Sequence, residues 1–144
     1  VERSINGDWG KDSPQDNHCK KVLCIRGTDI NQIKTGFMSK VPTRYILPKN
    51  FETKKLLPGD LVIEVSGGSP VQSTGRAILL EESLIQRLHG DLVCTNFCKA
   101  LKIKDEFNYF FYSYWNYLYS RGFFFNFENG TTGIKNLDIK SILT

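Results

Sequence analysis

The sequence predicts an α+β fold: a single domain built mainly from an antiparallel, curved sheet, with one aromatic-rich helix. Three observations carry that expectation. The chain has 144 residues, the size of one ordinary domain. Short apolar runs alternate with Gly- and Pro-containing turns along most of it, the pattern of strands joined by turns. Only Asp105 to Ser120 repeats large apolar side chains at helical spacing over several turns.

The elements follow in order. Residues 1–20 are polar and carry Gly7-Asp8-Trp9-Gly10, which reads as a loop-rich leading segment pinned by Trp9. Val22 to Ile25 is a short apolar run, a buried strand that Arg26-Gly27-Thr28-Asp29 ends in a turn. Pro42 to Ile46 is extended, with Arg44 and Ile46 on one face and Thr43 and Tyr45 on the other. Leu57-Pro58-Gly59-Asp60 is a turn, and Leu61 to Val65 is the strand after it. Ser66 to Gly75 is a flexible loop, and Arg76 to Leu80 returns as a strand, making a long-looped hairpin. A short helix fits Glu81 to Leu88, and one strand is expected over Leu92 to Ile103. Asp105 caps the main helix, Gly122 stops it, and Phe107, Phe110, Phe111, Tyr114 and Leu118 make an apolar face expected to pack inward. Phe123 to Phe127 reads as a strand, and Leu137, Ile139 and Ile142 as a closing element.

Composition narrows the class. Hydrophobic residues are 40% and charged residues 24%, so a core can form, and collagenous, coiled-coil and disordered chains are excluded. The net charge of +4 is a mild basic excess, compatible with a polyanionic partner. No apolar run approaches the roughly 18 to 20 residues that span a bilayer. The chain opens on Val1-Glu2-Arg3, without an initiator Met or a signal-peptide pattern, and reads as a piece of a longer polypeptide.

Chemistry-bearing patterns are few. Cys19, Cys24, Cys94 and Cys98, with His18 beside the first, raise a zinc site. Along one strand Cys94 and Cys98 would stand roughly 13 Å apart, too far to share an ion. Reduced structural thiols in a cytoplasmic protein are the expectation. Gly67-Gly68 and Gly75 lack a following Gly-Lys-Ser/Thr and a helix, so phosphate-loop and dinucleotide readings fail. Asp60 and Glu64 raise a metal-dependent nuclease, but their strand spacing again separates them by roughly 13 Å. They read as a turn Asp and a surface Glu. Neither His18 nor His89 lies in a nucleophile motif, and no methyltransferase motif is present.

A binding surface remains. Arg26, Thr28 and Arg44 lie in or beside early loops. Ser69, Gln72, Ser73, Thr74 and Arg76 line the long hairpin loop. Asn96 follows Thr95, and Thr131, Thr132, Lys135 and Asn136 lie near the end. Arg forks to guanine and Asn or Gln to adenine, while Ser, Thr and Lys mostly grip phosphate. Surface loops are rich in the same residues for ordinary reasons, so a protein-interaction module using the aromatic helix stays open. Exposure of Phe110 and Tyr114 would favour that module.

Seven strings in order carry a resemblance. They are Gly7-Asp8-Trp9-Gly10; Cys24-Ile25-Arg26-Gly27-Thr28-Asp29-Ile30; Pro42-Thr43-Arg44-Tyr45-Ile46; Gly59-Asp60-Leu61-Val62-Ile63-Glu64-Val65-Ser66-Gly67-Gly68; Ser73-Thr74-Gly75-Arg76; Thr95-Asn96-Phe97; and Thr132-Gly133-Ile134-Lys135-Asn136-Leu137. Over nearly the whole chain this resembles a target recognition domain of the DNA specificity (S) subunit of type I restriction–modification enzymes. The resemblance implies a non-catalytic reader of double-stranded DNA, taking one half of a bipartite target. Methyltransferase (M) subunits would bind S-adenosylmethionine and methylate adenine, and restriction/motor (R) subunits would use ATP and Mg²⁺. No cofactor is implied on this chain, and no membrane. Related domains also occur fused in single-chain restriction–methyltransferases, an alternative parent. The long spacer helix expected after Asn136-Leu137 is absent from the sequence, and the strings do not say which loop residues touch bases.

Overall fold

The computed structural model describes residues 1–38, 40–130 and 133–144. Its frame is a four-stranded antiparallel sheet in the order β1-β8-β4-β6, formed by β1 (Arg3–Asn6), β4 (Asp60–Glu64), β6 (Ala77–Leu79) and β8 (Cys98–Lys102). A second sheet, β3-β2-β7, joins β2 (Lys20–Ile25) antiparallel to β3 (Thr43–Ile46) and parallel to β7 (Leu92–Cys94). A small third sheet places β10 (Lys135–Leu137) between β5 (Ser66–Gly67) and β9 (Glu128–Asn129). The described residues also form five α-helices: α1 (Gly27–Lys34), α2 (Pro48–Lys54), α3 (Glu82–Leu88), α4 (Asn108–Ser120) and α5 (Ile139–Leu143). The α+β class and the dominance of antiparallel pairing are as the sequence predicts.

All five residues of β4 are buried, because both faces of its sheet are covered. Val62 joins Ile5, Ile78 and Ala100 in a cluster that also takes Ile30 and Ile33 of α1 and Leu88 of α3. Leu61 and Ile63 face the other way, onto Leu79, Leu101, Trp115 and Phe124. That double burial explains the unbroken Leu-Val-Ile run, since a strand covered on one side only would alternate. The hairpin of β4 and β6 and the short α3 match the sequence reading.

Several expectations are corrected. Arg26 to Asp29 is the start of α1 rather than a turn. The Asp29 carboxylate, at the third helical position, accepts from the Arg26 backbone N–H at 2.8 Å and holds the first turn closed. The leading segment contains β1, whose Ile5 is buried against the sheet, and Pro48 opens the unexpected α2 at the position where a missing N–H costs nothing. Leu92 to Ile103 is two strands in different sheets. The Thr95 hydroxyl accepts from the Phe97 N–H at 3.1 Å and the Cys98 N–H bonds the Thr95 carbonyl at 3.0 Å, which bends the chain between them. Cys94 and Cys98 therefore do not share a strand. Phe123–Phe127 is a 3₁₀ turn, entered through Gly122 at φ 73°, instead of a strand. Asp105 lies in a 3₁₀ turn before α4 and makes no side-chain cap there.

The aromatic face of α4 is also corrected. The buried stripe centres on Trp115, with Phe111 and Leu118 beside it, while Phe110, Tyr114 and Tyr117 are exposed to 73%, 54% and 58%. Phe107, expected inside, is exposed as well. α4 has aromatic side chains on every side, so its periodicity cannot say which stripe the sheet will take. Trp115 wins because its ring packs at a tilt against Phe124, with centroids 4.4 Å apart, and its Nε1–H donates to the Gly75 carbonyl at 2.8 Å.

Phe124→Ala should destabilise the domain by about 3–5 kcal/mol, because a fully buried ring is lost beside Trp115 and Gly75. Urea unfolding followed by tryptophan fluorescence measures it.

Candidate nucleic-acid interface

A cleft of about 690 Å³ opens where the two larger sheets and the small one approach each other. It is lined by Trp9; by Arg26, Gly27 and Thr28 at the start of α1; by Glu64, Ser66, Gly67 and Gly68; by Arg76; and by Thr95, Asn96 and Phe97. Every lining residue belongs to one of five of the seven strings that carry the resemblance, although those strings are scattered from residue 9 to residue 97. The other two strings sit just behind: Arg44 to Ile46 on β3 pairs with β2, and Lys135 and Asn136 on β10 pair with Gly67 and Ser66.

The innermost feature is an ion pair. Arg76 Nη2 donates to Glu64 Oε2 at 2.6 Å and Arg76 Nε to Glu64 Oε1 at 3.1 Å, a two-pronged geometry with both side chains largely buried. The pair pushes the Arg76 pKa up, the hydrogen bonds to Glu64 outweighing burial. Glu64 is therefore a buried partner and not a surface acid. A Cβ on Gly27 would collide with Glu64 Oε2, so the absence of a side chain at 27 is what lets α1 begin against this carboxylate. Asp60, at the other end of β4, is fully buried too. Its Oδ2 accepts from the Leu57 N–H at 2.8 Å, Arg3 lies 3.8 Å away, and burial raises its pKa. Among the described residues no group of three His, Cys, Asp or Glu is arranged to hold a metal.

The structure brings Arg26, Thr28, Arg76 and Asn96 together from the residues singled out in the sequence. Thr28 and Asn96 are exposed, and Asn96 is held by the bonded turn from Thr95 to Cys98. Lys135 and Asn136 stand beside the cleft, with Asn136 Oδ1 accepting from the Ser66 hydroxyl at 2.7 Å.

The remaining residues are placed differently. Ser73 and Thr74 are buried, and Thr74 donates its N–H and hydroxyl to Glu128 Oε2, each at 3.0 Å, so neither can reach a duplex. Ser69 spends its hydroxyl accepting from Val71 and Gln72 N–H groups, and Gln72 Nε2 donates to Tyr119 at 3.4 Å. With Gly75 tied to Trp115, this loop is anchored rather than loose. Arg44 points to the protein, donating to the carbonyls of Trp9 and Gly10 and lying 3.9 Å over the Trp9 ring. Arg26 forks onto Asp29 at 3.0 Å through both Nε and Nη2. All three arginines are thus committed internally, and the cleft itself carries little free positive charge. Thr131 and Thr132 lie outside the described residues.

Trp9 and Phe97 are cleft walls that the sequence reading did not single out as site residues. Phe97 lies in the turn between β7 and β8, and with one strand expected over Leu92 to Ile103 the sequence carries no signal that sets it apart as a cleft wall. Cys24, Cys94 and Cys98 are buried and Cys19 is exposed; burial pushes the thiols of Cys24 and Cys98 up to about 12. No protein-family model matches the chain, and no curated protein matches it.

Glu64→Gln should destabilise the fold by about 3 kcal/mol, because Arg76 is left buried without a counter-charge. A Glu64→Met/Arg76→Met double variant should recover most of that loss in urea unfolding. Asp60→Asn should stabilise the domain near pH 7. A carboxyl whose pKa is raised by folding favours the fold while protonated and loses that contribution as pH rises through the raised value. The advantage of the amide should therefore shrink as pH falls below that value, which unfolding curves across the acid range will measure.

Proposed function

We propose that this domain reads one half of a bipartite double-stranded DNA target without performing chemistry itself. It would act as the target recognition domain of a type I specificity subunit, in the cytoplasm. Partner M subunits would then methylate adenine, and R subunits would restrict. The observation that carries the reading is the convergence of the resembling strings on one cleft. Segments far apart in sequence build a single concave surface, edged by Asn96, Thr28, Lys135 and Asn136.

The physical division of labour differs from the one expected from sequence. Arg26, Arg44 and Arg76 frame the cleft, so sequence reading falls to side chains at its edge, Asn96 foremost, whose amide can take the two-pronged pattern of adenine. Phe97, 45% exposed beside it, suits a thymine methyl. Lysines outside the cleft supply phosphate attraction, in keeping with the +4 charge. S-adenosylmethionine, ATP and Mg²⁺ are assigned to partner subunits. A fused single-chain restriction–methyltransferase would use the same reader in the same way.

A second reading has its own observation. The exposed Phe110, Tyr114 and Tyr117 on α4 are what a protein-docking module would present. The two readings use different faces, so one molecule can do both.

Selection of duplexes from a random library by the purified chain tests the first reading. One short enriched motif is expected, bound with an affinity that falls steeply with salt. Asn96→Ala should weaken binding to that motif about tenfold or more, in the range of one lost two-pronged base contact. Absence of any enriched motif would end the DNA reading.

A further inference from the structure

We propose that the outer face of α4 and the groove at its N-terminal end form a docking site for a basic segment of another polypeptide, one that places arginine beside apolar side chains. The proposal deepens the second reading above and does not depend on DNA recognition.

The ridge is the first part. Phe110 and Tyr114 stack with centroids 6.3 Å apart and planes 5° apart, and Tyr114 and Tyr117 follow at 6.4 Å and 22°. The thirteen residues of α4 include no charged side chain, so nothing on the helix itself solvates this face electrostatically. Rings stacked this way are partly pre-ordered, which lowers the entropy lost when a partner covers them. Exposed aromatic clusters of this kind supply most of the energy at protein interfaces.

The groove supplies the direction. A recess of about 390 Å³ beside the first turn of α4 is lined by Glu81, Glu82, Asp105, Asn108 and Tyr109; among the described residues no Lys or Arg lines it, and Lys102 stands at its rim beside Gly59. Asp105 is paired with Lys102 at 3.1 Å, but Glu81 and Glu82 have no basic partner among the described residues. On a chain with net charge +4, this acidity runs against the overall balance. Asn108 is only 9% exposed, and its Oδ1 is a buried acceptor with no donor among the described residues.

A guanidinium suits both the acidic groove and the ridge. Its planar N–H fork fits carboxylates, and its face stacks on a ring such as Tyr109 or Phe110. Nucleic acid is disfavoured on this face, because Glu81 and Glu82 repel phosphate. A second copy of this chain is disfavoured as well, because ridge-to-ridge packing would leave both acidic grooves unused.

The test pans a phage-displayed library of random peptides against the purified chain. Counter-selection uses Phe110→Ser/Tyr114→Ser and, separately, Glu81→Gln/Glu82→Gln. All four substitutions are at exposed positions, and each variant should melt within a few degrees of the parent. Enriched peptides should be net basic, with arginine next to leucine or an aromatic residue. Calorimetry with the best synthetic peptide should give an affinity at least tenfold weaker for either variant, and a weaker salt response for the Gln pair. Enrichment of neutral or acidic peptides, unchanged affinity in either variant, or no enrichment at all overturns the proposal. A dimer seen by sedimentation and abolished by the Ser pair would assign the ridge to self-association instead. Loss of duplex binding in the Ser pair would assign it to DNA. Failure of duplex selection in the parent chain leaves the peptide result standing on its own.

Discussion

The ion pair between Glu64 and Arg76 is the interaction around which the rest is arranged. Glu64 ends β4, Arg76 stands just before β6, and their backbones are bonded as well, Glu64 N–H to the Arg76 carbonyl at 2.8 Å and Gly75 N–H to the Glu64 carbonyl at 2.9 Å. The same carboxylate lies against Gly27 and within 3.3 Å of where a Cβ of Gly67 would be. One acidic group thus fixes the close of the hairpin, the start of α1 and the entry into the small sheet. Burying such a pair gives little net stability, since desolvation of the two charges offsets most of their attraction. What it contributes is position: charges that must meet at 2.6 Å leave the surrounding segments few alternative arrangements.

Much of the fold was legible where burial is simple. The runs Val22–Ile25 and Leu61–Glu64 became strands because apolar residues bounded by turn signals have few other places to go, although Val65, expected in the second, falls just outside it. The misses share a cause: a local signal overridden by a tertiary partner. Arg3–Asn6 holds one apolar residue and is a strand only because β8 offers it an edge. Arg26–Asp29 looks like a turn until Asp29 closes it into a helix. Phe123–Phe127 has strand composition, yet Phe124 must fold back to meet Trp115.

The site was legible in its membership and illegible in its roles. Arg26, Thr28, Arg76 and Asn96 could be singled out by residue type, and they do line one cleft. Residue type does not reveal whether an arginine faces solvent or a buried acid, and here the acids Asp29 and Glu64 lie three residues after one arginine and twelve before the other. Ser73 and Thr74, judged polar and therefore exposed, are buried, and Thr74 is held inside by Glu128. The molecule thus offers two surfaces of opposite character: a concave one framed by internal ion pairs, and a convex aromatic one edged by acid.

The bend at Thr95–Phe97 has one more consequence. β7 and β8 belong to different sheets, yet three residues separate them, and the Phe97 carbonyl also takes the N–H groups of Val65 and Ser66 at 2.8 and 3.0 Å. Neither sheet can loosen without pulling on the other through this short tether. The two larger sheets are thereby coupled mechanically, and the domain is built to melt in one cooperative step rather than sheet by sheet.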